Sequence, residues 1–89
     1  MSVSVIESTF NDRQGTVTVA ADGQEESMSP AARTLALKEA AANGLSRPGI
    51  SGAPSPYPVD AAGETSDALM TGKGVVAGYR CDFPVTAGL

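Results

Sequence analysis

A chain of 89 residues with 10 acidic and 6 basic side chains, a formal net charge of -4, no histidine and a single cysteine has room for one domain at most. The composition excludes an internal disulfide and a structural zinc site of the His/Cys type. The basic residues Arg13, Arg33, Lys38, Arg47, Lys73 and Arg80 stand singly, so no cluster exists to release counterions from a nucleic acid or an anionic membrane.

The first 44 residues read as a β-hairpin followed by a helix. Val3 and Val5 alternate with Ser2, Ser4 and Ile6, and Val17 and Val19 with Thr16, Thr18 and Ala20, the period of a half-buried strand. Asn11 to Gly15 supplies turn residues, with Gly15 able to take positive φ at the exit. Ser29-Pro30 reads as N-cap and first helical position, the Ala-rich run to Ala42 as the helix, and Asn43-Gly44 as its stop. Leu35 and Leu37 are the large apolar residues of that helix and candidates for contact with a neighbouring subunit.

Residues 45–74 read as an extended Pro/Gly-rich arm. Pro54, Pro56 and Pro58 alternate around Ser55 and Tyr57, which holds the backbone extended and removes hydrogen-bond donors. Tyr57, flanked by Pro56 and Pro58, is a candidate docking anchor. Glu64 to Thr71 predicts one or two helical turns stopped by Gly72. Residues 75–89 read as strand and tail: Val75, Ala77, Tyr79, Cys81 and Phe83 alternate with Val76, Gly78, Arg80 and Asp82, predicting a strand over 75–83 ended by Pro84. Tyr79 and Phe83 complete the contact candidates. The spacing leaves open whether this strand pairs with the hairpin or with a neighbour's sheet. The fold class is therefore α+β: a small antiparallel sheet, one short Ala-rich helix and long extended arms.

Residues that carry chemistry are scarce. Thr71-Gly72-Lys73-Gly74 lacks the first glycine and the closing Ser/Thr of a phosphate loop. Cys81 has no histidine to activate it and is expected in the core. Asp60, Glu64 and Asp67 lack calcium-loop spacing and read as a solvated acidic turn. No catalytic residue, metal ligand or cofactor is expected, and the chain is not expected to be an enzyme.

Apolar residues make up 42% of the chain, yet 14 are alanine, while Leu, Ile, Val and Phe together number 17. Small chains with so thin a core draw stability from disulfides, metals or partners, and the first two are excluded. Protein partners are expected, either copies of this chain or a major shell or tube subunit. The opening Met1 to Ile6 lacks a basic n-region, and no apolar run has the length of a signal core or a membrane span; the expectation is a soluble product, intracellular or in a virion, not secreted by a signal peptide. In general character, being short, acidic, rich in Ala, Gly, Thr and Ser and poor in aromatics, the chain resembles the decoration and cement proteins of tailed-phage capsids. That resemblance is one of composition and carries over no functional residue. The expected role is a structural accessory subunit that stabilises seams in a large assembly. The alternatives are an adaptor binding one protein through the Pro-rich arm, or a non-catalytic small subunit of an enzyme complex.

Overall fold

The amino-terminal alternation forms a hairpin of β1 (Ser4–Asn11) and β2 (Gln14–Ala21), paired antiparallel from Asn11 opposite Gln14 to Ser4 opposite Ala20, with one bulge at Ile6. The computed structural model describes residues 3–88, so Ser2 of the expected hairpin and Leu89 of the tail lie outside the described residues. Positive φ falls on Asp12 (54°), and Gly15 does not use its freedom to adopt it. Asp tolerates the left-handed region through its short polar side chain. Gly15 serves a different purpose. Phe10 lies opposite it, and a Cβ there would collide with the Phe10 ring and the Thr9 carbonyl oxygen.

A four-residue turn of helix, α1 (Gln24–Ser27), leads into α2 (Pro30–Ala42). The start of α2 is as predicted: the Ser29 hydroxyl accepts from Ala32 N at 3.2 Å, and Pro30 occupies the first position, where its missing N–H costs nothing. The end is a Schellman closure. Leu45 N donates to Ala40 O and Gly44 N to Ala41 O, both at 3.1 Å, with Gly44 at φ 98°. The closure also buries Leu45. The packed stripe of α2 is Ala32, Ala36 and Ala40, all at 0% exposure, so the helix lies close on the sheet.

The carboxy-terminal strand pairs within the chain. β5 (Gly78–Thr86) lies antiparallel to β2, with Val19 opposite Cys81, Val17 opposite Phe83 and Gly15 opposite Val85. The expected limits, 75 to 83, need correction at both ends. Val75 and Val76 precede the strand and are exposed. Pro84 lies inside it because the neighbouring segment bulges at that point. Pro84 O accepts from Ser51 N at 2.8 Å, so its nitrogen faces the same side, toward Gly52-Ala53-Pro54, where pairing is interrupted and no donor is needed.

The Pro/Gly-rich stretch supplies two further strands, β3 (Gly49–Ile50) and β4 (Ser55–Val59), both antiparallel to β5 on its other side. The described residues thus form a five-stranded antiparallel sheet in the order β1-β2-β5, with β3 and β4 together as the last row. A short α3 (Asp67–Met70), capped by Ser66, sits in the loop before β5, and Gly72 follows it. The architecture is α+β, with one helical layer on one sheet face. Val17, Val19, Cys81, Phe83 and Val85 meet the alanine stripe and Leu45 as the core, with Val5, Phe10, Leu37 and Ile50 packed at its margin. The body measures 43 × 24 × 20 Å.

Candidate functional site

Residues directly opposite one another in an antiparallel sheet share a face, so the pairing register defines the side of the sheet that the helix leaves uncovered. One row is Ala20, Arg80 and Tyr57; the next is Glu7, Thr18, Asp82 and Ser55; the third is Thr9, Thr16 and Pro84. Two features of this outer face are built, not merely exposed. The Thr18 hydroxyl donates to Asp82 Oδ1 at 2.6 Å, and Thr18 is only 7% exposed although no helix covers it. Tyr57 is half-buried beside it. Burial pushes the Tyr57 phenol above its ordinary range, the carboxylates of Asp82 and Glu7 push the same way, and the Arg80 guanidinium opposes them. An aromatic ring with its hydroxyl among two carboxylates and a guanidinium presents both apolar area and polar groups, a combination favoured in protein contacts.

The other contact candidates divide between the faces. Pro56 lies opposite Cys81 and Pro58 opposite Tyr79, so Pro56, Pro58 and Tyr79 share the helix side while Tyr57 alone faces outward. Tyr79, Leu35 and Leu37 are half-buried, and Leu37 packs on the core. Phe83 is at 0% exposure in the centre of the core and has no surface to present. The candidates therefore do not form one patch.

A second surface was not anticipated. Met70 (60% exposed), the last residue of α3, and Val75 (87%) and Val76 (38%) stand out in solvent as the apolar tip of the loop that leads to β5, while Ile6 (42%) is exposed separately at the β1 bulge. The period-two pattern assigned Val75 to a buried strand face. Gly72 and Gly74, close on the amino-terminal side, are the signal that the strand had not yet begun.

The chemically suggestive residues are occupied locally. Cys81 is at 0% exposure, and burial, reinforced by Asp82, raises its thiol to about 11, so it stays protonated at neutral pH. Asp60 Oδ1 accepts from Ala62 N at 2.9 Å and Glu64 N at 3.0 Å, closing its own turn. Among the described residues no group of acidic, Cys or His side chains could hold a metal ion, and no helix is long and apolar enough to cross a membrane. Comparison with protein-family models, with curated protein sequences and with solved structures gave no match.

Proposed function

We propose that this chain is a non-catalytic structural subunit of a larger protein assembly, of the kind that sits on the shell or tube of a virion and ties neighbouring subunits together. The observation that carries this reading is the apolar tip. With 17 Leu, Ile, Val and Phe residues in all, a chain so short of core material leaves Val75 and Val76 outside together with Met70. Val75 and Val76 are consecutive, and grouped exposed apolar side chains on a small protein mark a contact surface. The uncovered sheet face with Tyr57 supports the same reading. The adaptor alternative has less support, because the segment around Tyr57 is already docked as β4 on the chain's own sheet.

The test is the native mass and stoichiometry of the particle that carries the chain in its source. Many copies per particle, without turnover of any substrate by the isolated chain, is the expected result. One copy bound to one partner, or a chain that turns over a substrate alone, overturns the proposal.

A further inference from the structure

The two edges of the sheet are built differently. On the β4 edge, Pro56 and Pro58 carry no N–H, so Ser55, Tyr57 and Val59 make the ladder to β5 and the proline positions face outward without a donor. Such an edge is closed to a further strand. The β1 edge contains no proline, and among the described residues nothing pairs with its outer side. Its regular pairing with β2 runs from Glu7 to Asn11, bounded by the Ile6 bulge and the Asp12 turn. Thr9 is the midpoint of that segment.

The direction of each backbone group follows from one hydrogen bond. A strand residue turns its N–H and C=O to the same side, and the side alternates along the strand. Pro84 O accepts from Ser51 N, so Pro84 faces β3 and β4, while Phe83 and Val85 face β2. Their partners Val17 and Gly15 face β5, which turns Thr16 and Thr18 toward β1. Thr9 and Glu7 are therefore bonded to β2, and Ser8 and Phe10 point their N–H and C=O outward.

We propose that β1 pairs antiparallel with β1 of a second copy of this chain, about a two-fold axis at Thr9. In this register Ser8 of each copy exchanges both backbone hydrogen bonds with Phe10 of the other, which satisfies every outward group of the regular segment. On the outer face Thr9 meets Thr9, and Glu7 meets the neutral amide of Asn11, a hydrogen-bond donor for its carboxylate. The two Glu7 carboxylates lie four positions apart along the ladder, about 14 Å, and are screened from each other. A parallel pairing would set them side by side and would not close on a two-fold axis. A shift of the axis to Ser8 would bring the Ile6 bulge into the ladder. On the helix side the Ser8 hydroxyl is held by Glu39 Oε2 at 2.9 Å and the Phe10 ring packs on its own core, so both side chains stay with their own copy. The dimer joins two five-stranded sheets into one and uses neither Tyr57 nor the apolar residues before β5. Its role rests on the assembly reading, but its test does not.

The mass of the full chain in solution, measured by light scattering and sedimentation across a concentration series, should rise to twice 8.9 kDa. Thr9 is exposed, so Thr9→Lys and Thr9→Glu should keep the circular dichroism spectrum of the parent chain. Each should weaken dimerisation at least tenfold by placing like charges on the axis, roughly the least expected for such juxtaposition. An equimolar mixture of the two should dimerise again. Thr9→Cys should cross-link to a covalent dimer under mild oxidation, while Cys81 stays buried. A parent chain that is monomeric throughout overturns the proposal, as does a dimer indifferent to both Thr9 charges. Either result leaves the assembly reading standing, whereas a dimer found in no larger particle removes the assembly reading alone.

Discussion

Cys81 shows how burial turns an ordinary side chain into a pH-dependent element of stability. Its thiol is raised from 9.0 to about 11, chiefly by burial and then by Asp82. Between those two values the folded chain keeps a proton that the unfolded chain has lost. Stability must therefore fall as pH rises through that window, and it is fully present below it. The expected loss is on the order of 2 kcal/mol across the window. Urea unfolding at its two ends should show it, and Cys81→Ala, less stable at both ends, should show a shallower decline. An equal decline in both proteins would place the loss elsewhere, for example at Tyr57, whose phenol is also raised. Two aromatic residues of β5 can be separated in the same assay. Phe83 is wholly buried and Tyr79 half-buried, so Phe83→Ala should cost about 4 kcal/mol and Tyr79→Ala about half of that. Equal costs would contradict the placement of Tyr79 at the margin of the core.

At the scale of elements, what could be read from sequence is what local chemistry decides. The limits of α2 are set within a few residues of themselves, by the Ser29 hydroxyl, Pro30 and the Gly44 closure, and all three are visible in the order Ser-Pro…Asn-Gly. The hairpin is equally local. β3 was missed because its two residues, Gly49 and Ile50, are too few to show a period, and β4 because prolines at alternate positions argue against a strand. The objection fails only at an edge, where the prolines face outward, and edge position is decided by a partner more than twenty residues away. Pro84 misled for the same reason, since its tolerance depends on the bulge at Gly52-Ala53-Pro54. The candidate surface was partly legible. Tyr57 was picked out by its flanking prolines, but Phe83 went to the core and the tip was not foreseen. The alanine stripe of α2 yields a prediction at this scale. Ala36 is wholly buried between helix and sheet, so Ala36→Leu should force the two apart and cost about 2 kcal/mol. Ala41→Leu, on the exposed side, should change stability by less than about 0.5 kcal/mol. A stabilising Ala36→Leu would mean that the interface is loosely packed.

On the scale of the whole molecule, the helix covers one face of the sheet, the closed β4 edge and the open β1 edge lie on opposite sides of it, and the apolar tip stands in solvent. A chain with one thin core cannot satisfy all of these surfaces by itself. The tip is the surface least tied to the fold, because Val75 precedes β5 and is 87% exposed. Val75→Asp should therefore leave the unfolding midpoint nearly unchanged, within about 0.5 kcal/mol. The same substitution should sharply reduce incorporation when the tagged chain competes with the parent chain for places in the native particle, since a carboxylate buried without a partner is strongly disfavoured. Phe83→Ala provides the contrast: it should lower incorporation only as far as it lowers the folded fraction. If Val75→Asp incorporates as well as the parent chain, the tip is not the contact, and the Tyr57 face becomes the surface on which the assembly reading must rest.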